Sequence, residues 1–238
     1  VSNGAIEFGI VSSDWAHYVY TGSGPAKFLH ARFNNLRTLF TLHEEPLGLI
    51  VRRDSGISSV ADLAGKRVNI ANPGSYQRLL MEMIMERNGW SREDFQMAEE
   101  LSVSEQALAL CHNQIQAMVV SVSHPNADVA KTLRVCNAKL LDVDGAGISK
   151  LIADHPYFYE MKIGAGHYSD QKDIKTFGLR VLAVSSSEID RDLSGSIVSA
   201  VVDNASVLPK LHPALRSVSP RSLMGDGNVL PLHDGALL

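Results

Sequence analysis

The chain has 238 residues, of which 45% are hydrophobic and 20% are charged, a composition typical of globular proteins and not of disordered chains. Its 22 basic and 26 acidic residues leave a net charge of −4, a field too weak to gather nucleic acid or an anionic membrane. The apolar runs are far shorter than the ~20 residues that a membrane-spanning helix needs. These values argue against nucleic-acid partners and membrane insertion, and they leave room for one large domain or two small ones.

Short β-branched runs alternate with amphipathic stretches along the chain, and this alternation predicts an α/β fold. Ser59 and Asp62 form a capping-box pattern, and Gly65 is placed to end the short helix that they begin. The strands predicted in this part of the chain cover residues 6–11, 38–42 and 47–53, with a connection at 43–46.

The segment after residue 66 repeats a strand–loop–helix order. A strand at residues 67–71 is followed by a turn, and the next helix is expected to stop at Asn88 and Gly89. Ser102 and Glu105 form a second capping-box pattern, which predicts another helix. Further strands are predicted at residues 115–120, 133–143 and 176–184, followed by a mostly helical tail from residue 189. Together these elements predict a layered α/β architecture with mainly parallel sheets.

The loop that follows the strand at residues 67–71 is the most informative segment. Gly74 and Ser75 lead into a helix whose first N–H groups have no intrahelical acceptor. Together with the Ser75 hydroxyl and Arg78, these donors suit a carboxylate or a phosphate. The structural alternative is that Ser75 caps the helix and Gly74 permits the turn. Both interpretations remain open at this point.

Small polar residues also follow two other predicted strands. Ser13 and Asp14 come after the first strand, and Ser123 and Pro125 come after the strand at residues 115–120. Ligands of α/β proteins collect at such strand ends. Asp14 is equally consistent with a helix N-cap.

Two further residues carry open alternatives. His124 is interpreted as a loop residue and not a metal ligand, because no second ligand stands at metal-binding spacing beside it. Tyr168 is either an aromatic wall of a site or the edge of a core.

The two cysteines do not fix the cellular compartment. Cys111 and Cys136 lie 25 positions apart, a spacing that fits no zinc motif. We interpret both as unpaired buried apolar residues, with a single disulfide as the alternative.

Common enzyme motifs are missing from the sequence. It contains no G-x-S-x-G elbow, no H-E-x-x-H, no P-loop and no C-x-x-C. Gly22 and Gly24 begin like a dinucleotide loop, but Lys27 occupies the place of the third glycine. We therefore predict no catalytic activity, no metal and no cofactor. A catalytic group assembled by the fold remains the alternative.

Several segments together resemble a known family of binding proteins. The stretch DLAGKRVNIANPGSYQRLLMEMIMERNGW at residues 62–90 resembles type II periplasmic solute-binding proteins, and more closely the TAXI receptors of tripartite ATP-independent periplasmic (TRAP) transporters. The other matching segments, in order, lie at residues 8–15, 154–168, 176–184 and 229–238.

The resemblance implies a two-lobed architecture of the type II periplasmic binding protein class, with a hinge made of two crossovers. Residues 1–53 would form the first part of lobe one, residues 54–174 lobe two, and residues 175–238 the return segment of lobe one. Such a receptor has no catalytic activity. It closes on a small organic acid, a glutamate-like amino acid or a dicarboxylate, and delivers it to TRAP-type permease subunits. A periplasmic monomer is expected.

The resemblance, together with the loop described above, also assigns ligand contacts. The predicted ligand-binding residues are Ser13, Asp14, Asn72, Gly74, Ser75, Tyr76, Gln77, Ser123, Pro125, Tyr168 and Thr176.

The sequence departs from the family pattern in three places. The stretch that the family carries ahead of residue 1, with the first strand–helix units of lobe one, is expected to be missing. Tyr76 stands where the family more often has glycine, and we expect it to narrow the pocket or to stack on a planar ligand. Gly195 lies inside a predicted helix, where it costs about 1 kcal/mol relative to alanine.

Two rival functions share the same scaffold. One is an enzyme on two lobes, because a fold does not dictate a function. The other is a ligand-sensing regulatory module, which an adjoining DNA-binding segment would favour.

Overall fold

The computed structural model describes residues 1–168, 172–225 and 228–237. Its eight strands are β1 Phe8–Ser12, β2 Leu36–Arg52, β3 Arg67–Asn69, β4 Met97–Glu99, β5 Ala117–Ser121, β6 Ala138–Leu141, β7 Tyr159–Ile163 and β8 Ile174–Ser186. Its helices are α1 Ser13–Thr21, α2 Tyr76–Asn88, α3 Val103–Cys111, α4 Ala127–Val135, α5 Ala146–Asp154, α6 Arg191–Asp203, α7 Leu208–Leu211 and α8 Pro220–Leu223. The predicted α/β class is confirmed.

The chain divides into two compact units. Unit 1 contains residues Val1–Glu45, Pro156–Tyr159 and Leu179–Leu238, and unit 2 contains Pro46–His155 and Glu160–Gly178. The long strands β2 and β8 each contribute residues to both units. These divisions fall after residues 45 and 178, whereas the lobe boundaries proposed from the sequence fall after residues 53 and 174.

The strands of the two units pair in different senses. In unit 1, β1 pairs with β8 in the antiparallel sense. In unit 2, β3 is parallel to both β4 and β5, while β2 is antiparallel to β5 and β6. The prediction of mainly parallel sheets therefore holds only for the pairing of β3 with β4 and β5, because the pairings of β1 with β8 and of β2 with β5 and β6 are antiparallel.

The sequence predicted two strands where the structure has one. Residues 43–46 were assigned to a connection, but they lie inside the 17-residue strand β2. The residue before a proline favours extended backbone, so Glu45 and Pro46 allow the strand to continue. Residues 43–45 are polar because they are more exposed than the rest of β2, and not because they form a turn.

The predicted strand at residues 133–143 is also partly wrong. Its first residues form the last turn of α4, and only Ala138–Leu141 are a strand. The Asn126 side chain accepts hydrogen bonds from the N–H groups of Asp128 and Val129, and this cap starts the helix. Leu133 and Val135 therefore belong to an amphipathic helix.

The predicted caps are confirmed. The Ser59–Asp62 and Ser102–Glu105 capping boxes are both present. Helix α2 begins after Ser75, and Gly89 ends it with a φ of +68°.

Close packing explains why a glycine occupies position 195 inside α6. A Cβ atom added at Gly195 would lie 3.3 Å from the carbonyl oxygen of Gly235, and one added at Gly235 would lie 2.7 Å from the nitrogen of Gly195. The two glycines let the helix and the turn at residues 234–236 approach closely.

Cys111 and Cys136 form a disulfide, so the interpretation of two unpaired cysteines is wrong. The bond joins the end of α3 to the residue after α4, on the core side of unit 2. Sequence spacing alone does not show that these two helix ends meet.

Within the described residues, no helix combines the length and apolar character required to cross a membrane.

Candidate functional site

Three helices of unit 2 begin at the same edge of its sheet. The parallel, neighbouring strands β3, β4 and β5 are each followed along the chain by a helix, namely α2, α3 and α4. The carboxyl ends of parallel strands share one edge, so the amino-terminal turns of these helices are directed toward it. Each such turn carries a partial positive charge and main-chain N–H groups that lack intrahelical acceptors. This edge therefore favours an anion.

A groove confirms that these loops converge. It has a volume of about 920 Å³, and its lining includes Asn72 of the loop before α2 together with Ser102 and Asn126, the caps of α3 and α4. The groove continues along α3 and α4 as far as Cys111 and Cys136. Its floor includes the buried sheet residues Ile50 and Met118. The polar residues at the helix starts thus adjoin an apolar surface of the same unit.

Ser75 performs the structural role that the sequence left open. Its Oγ accepts a hydrogen bond from the Arg78 N–H at 3.1 Å and donates one to the Asn72 carbonyl at 2.8 Å. The Ser75 hydroxyl proton is therefore already used in a hydrogen bond within the loop. Gly74 has a φ of +80°, with open space where a side chain would project. The loop can offer a ligand its main-chain N–H groups, such as that of Gln77 in the first turn of α2.

Arg78 does not extend freely toward this edge. Its guanidinium pairs with Glu100 and Glu82, each at 2.6 Å. The two carboxylates raise the pKa of Arg78, with Glu100 as the larger cause. The expectation that Arg78 assists the loop in holding an anion is therefore not supported.

Asn69, which the sequence analysis did not single out, fixes the start of the loop. Its buried side chain accepts hydrogen bonds from the N–H groups of Ala71 and Leu101 and donates to Gln106 and to the Leu101 carbonyl. Ala71 is held at a φ of +68°, a left-handed conformation that costs about 1–2 kcal/mol in a residue with a side chain. The sequence contained one signal for this role, because Asn69 is a polar residue between the apolar residues Val68 and Ile70 of the predicted strand.

Tyr168 and His124 form a buried pair behind the loop after β5. The Tyr168 oxygen lies 2.6 Å from His124 Nδ1 and accepts a hydrogen bond from the Asn126 N–H at 2.9 Å. Burial lowers the pKa of His124 to about 4 and raises that of Tyr168 to about 12. With the imidazole neutral, Nδ1 and the tyrosine hydroxyl share one hydrogen bond between uncharged groups.

This geometry places both residues in the interior of unit 2. Tyr168 belongs to the core of unit 2 and supports the loop through Asn126. His124 is buried in the loop, and no cluster of metal-binding side chains is found within residues 1–168, 172–225 and 228–237. Ser123 and Pro125 flank His124 and are half-buried.

Thr176, another predicted contact, has an internal partner. It is buried in unit 2, and its Oγ1 donates a hydrogen bond of 2.6 Å to the carbonyl of Leu47. This bond links β8 to β2. Its hydroxyl proton is therefore used within the sheet.

Ser13 and Asp14 lie in unit 1, at the start of α1. The Ser13 Oγ donates to the Tyr157 carbonyl at 2.8 Å and accepts from the Arg180 N–H at 3.2 Å. Asp14 is the second residue of the helix and not its cap, which is Ser12. It is 4% exposed, and one of its oxygens accepts a hydrogen bond from the Trp15 N–H.

Aromatic residues surround this acidic helix start. The Tyr18 hydroxyl donates to the Tyr157 hydroxyl at 2.7 Å. Burial is the main cause that raises the pKa of Tyr18 and of Tyr157, and the Asp14 carboxylate adds to both shifts. Both phenols are therefore neutral donors at physiological pH.

Comparison with known proteins identifies a matching family and solved structures of similar fold. The model of the NMT1-like family matches residues 1–237. A TctC solute-binding protein from Polaromonas superposes with a TM-score of 0.56 at 16% identity, over 91% of this chain and 69% of that chain. The periplasmic sulfonate-binding protein SsuA from Methylobacillus flagellatus KT superposes with a TM-score of 0.51 at 15% identity, over 99% of this chain and 65% of that chain.

These likenesses confirm the predicted fold of the periplasmic-binding-protein type. Both structures are named as binding proteins.

Proposed function

Because the chain belongs to the NMT1-like family, we propose that it is a solute receptor that captures a small organic acid outside the cytoplasm and delivers it to a membrane permease. The observation that carries this proposal is the convergence of three helix amino termini at one edge of unit 2. Helix termini and main-chain amides bind anions without a large net positive charge, which agrees with a net charge of −4.

The carboxylate of the solute binds to the main-chain N–H groups at the start of α2. Gly74 leaves open space above this turn, so a ligand can approach the backbone closely. Asn72, Tyr76 and Gln77 supply polar and aromatic contacts from the same loop, and Ser123 and Pro125 supply them from the loop after β5. Ser75, Tyr168 and Thr176 act indirectly, since their hydroxyls hold the backbone in place.

The permease is of the TRAP type, and the solute is a glutamate-like amino acid or a dicarboxylate. Support for this finer assignment comes from the resemblance of residues 62–90 and 229–238 to TAXI receptors. The two solved structures support only the broader class of solute-binding proteins.

The periplasm is the proposed location. The disulfide between Cys111 and Cys136 supports it, because disulfides persist in oxidising compartments. The name of the Methylobacillus protein, which includes the word periplasmic, supports it as well.

Native mass spectrometry of protein purified without added ligand tests the function class. We expect a retained small acid that leaves intact when the protein is unfolded. A chemically altered product would point to an enzyme, and the absence of acid together with no calorimetric binding to any acid of this class would overturn the proposal.

A pair of glycine variants tests the loop. Gly74→Val is expected to weaken binding of the acid at least tenfold in calorimetry, because its side chain occupies the space above α2. Gly65→Val is the matched control: its φ of +71° imposes the same backbone strain, also in open space, at the opposite end of β3. Equal affinity in the two variants would remove the loop from the site.

A further inference from the structure

The groove of unit 2 is longer than an anion site at the helix starts requires. Its volume of about 920 Å³ is near the upper end of the range of ~300–1,000 Å³ typical of ligand pockets. From Ser102 and Asn126, the caps of α3 and α4, it continues along these helices to Cys111 and Cys136. The nine residues of α3 give this helix a length of roughly 14 Å. An acid of few carbon atoms that is held at the helix starts leaves most of this length unfilled.

The walls of the groove beyond the helix caps are largely apolar. Val103 and Leu108 of α3 and Val135 of α4 line it, and these residues are 55%, 60% and 62% exposed. Exposed apolar residues that are grouped together mark binding surfaces more often than residues that are scattered singly. A hydrocarbon or aromatic group in the groove would remove this surface from water, which stabilises the complex.

The side chain of Gln106 places a hydrogen-bond donor inside the groove. Gln106 lines the groove from α3 and is 2% exposed. Its Oε1 accepts a hydrogen bond of 2.9 Å from Asn69 Nδ2, since Asn69 Oδ1 already accepts from two main-chain N–H groups. Among the residues that the structure describes, no acceptor is within hydrogen-bond reach of Gln106 Nε2. Buried polar groups are rarely left unsatisfied, so this amide calls for an acceptor from a ligand.

Thr132 repeats this situation on the other wall. It stands on α4, lines the groove and is 5% exposed. Within residues 1–168, 172–225 and 228–237, its Oγ1 has no hydrogen-bond partner. Neither this oxygen nor Gln106 Nε2 is closed off from solvent, so both are reachable from the groove.

We propose that the solute of this receptor is an acid whose carboxylate is attached to an extended apolar body, such as a medium-chain or aromatic carboxylate. This inference rests on the proposed function for the capture of an acid, and it narrows the class of acid. Gln106 and Thr132 donate hydrogen bonds to the oxygen atoms of the solute, and its apolar body lies between α3 and α4, along Leu108 and Val135. A long-chain dicarboxylate has such a body, whereas a glutamate-like amino acid does not.

Isothermal titration calorimetry of the whole chain with butyrate, hexanoate and octanoate tests the apolar body. The affinity is expected to rise about two- to fourfold with each added methylene group that the groove buries. Suberate, the dicarboxylate with the chain length of octanoate, separates the two sources of such a body. Tighter binding of suberate than of octanoate identifies a diacid as the solute, and the reverse order identifies a monoacid.

Glutamate is the probe that separates this inference from the proposed function. If glutamate binds and neither octanoate nor suberate binds more tightly than butyrate, the apolar body is refuted and the receptor function stands. If none of the acids binds, the inference and the proposed function both fail.

Two variants separate the contacts of the carboxylate from those of the apolar body. Gln106→Glu keeps an acceptor for Asn69 and replaces the donor with a carboxylate oxygen, so it is expected to lower the affinity for every chain length at least tenfold. Gln114→Glu, at an exposed amide of the same unit, is its matched control and is expected to change nothing.

Leu108→Gln is expected to reduce the gain in affinity per methylene group, because it makes one wall of the groove polar. Leu211→Gln, at an exposed leucine of a unit 1 helix, is expected to keep the full gain. Leu108 is exposed, so its variant remains informative if Gln106→Glu does not fold. The proposal is wrong if Leu108→Gln and Leu211→Gln behave alike.

Discussion

Asn69 is the residue on which the loop before α2 depends most. Its amide group satisfies two main-chain N–H groups and contacts a carbonyl and the Gln106 side chain, all in the interior of unit 2. We expect Asn69→Leu to lower the free energy of unfolding by about 3 kcal/mol or more, because each buried group left unsatisfied costs about 1–3 kcal/mol. Urea unfolding measures the change, with Gln114→Leu, at an exposed amide of the same unit, as the control. A loss equal to that of the control would contradict this role.

His124 makes the stability of unit 2 depend on pH. Burial lowers its pKa from 6.5 to about 4 in the folded protein, so between these values only the unfolded chain takes up the proton. Stability from this group is therefore fully present above pH 6.5 and falls by roughly 3 kcal/mol as the pH drops to 4. His124→Gln is expected to show a flatter dependence in this window. The exposed His112→Gln should behave as wild type, and parallel curves for all three proteins would refute the assignment.

The roles of residues whose partners are close in sequence could be predicted, whereas the roles of residues with distant partners could not. Ser75 caps α2 by accepting a hydrogen bond from Arg78, only three residues further along the chain, so the local sequence contains the whole interaction. The Ser13 hydroxyl instead binds a carbonyl 144 residues away, at Tyr157. Arg78 was expected to face an anion, but its partner Glu100 lies 22 positions along the chain. The sequence shows which residue types lie at the site. It does not show which distant residues already form hydrogen bonds with them in the folded protein.

At the scale of the elements, the disulfide joins the ends of α3 and α4. Closing a loop with a sequence separation of 25 restricts the unfolded chain and stabilises the protein by about 3–4 kcal/mol. We expect dithiothreitol to lower the urea midpoint of the wild type to that of the double variant Cys111→Ala/Cys136→Ala. The double variant itself should not respond to dithiothreitol. A wild type that is insensitive to the reductant after complete reduction would show that the bond adds no stability.

The close approach of α6 to the turn at residues 234–236 gives a second prediction for the elements. A side chain at Gly235 would meet the backbone of Gly195, which cannot move aside without shifting the helix. We expect Gly235→Ala to lower the free energy of unfolding by roughly 1–3 kcal/mol. Gly166→Ala, where a Cβ meets nothing within 4 Å, serves as the control in the same urea measurement. Equal stability of the two variants would show that the backbones separate easily.

Elements were predictable where their signals are local. The two capping boxes and the glycine at the end of α2 each act over three or four residues, and all were found as expected. The strand β2 continues through Glu45 and Pro46, a continuity that depends on strands far away in sequence. The pairing of Cys111 with Cys136 likewise depends on two helices meeting at their ends, which spacing does not reveal.

For the whole molecule, the proposed solute should act as a stabiliser. A ligand that binds only the folded chain adds about 2.7 kcal/mol at one hundred times its Kd. For a protein of this size that gain corresponds to a rise in Tm of about 5–10 °C. Thermal unfolding with the acid identified by mass spectrometry measures it. Gly74→Val should lose most of the shift and Gly65→Val should keep it, and an unchanged Tm in the wild type at saturation would contradict binding to the folded state.

The assembly of unit 1 from three separate stretches of chain sets an order for folding during synthesis. Strand β1 emerges from the ribosome roughly 170 residues before its partner β8, a delay of roughly 10–30 s at ordinary translation rates. Unit 2 is complete once residue 178 has emerged, whereas unit 1 also needs residues 179–238. The pairing of β1 with β8 therefore forms only after the chain of unit 2 has been made, and β1 stays without this partner until then.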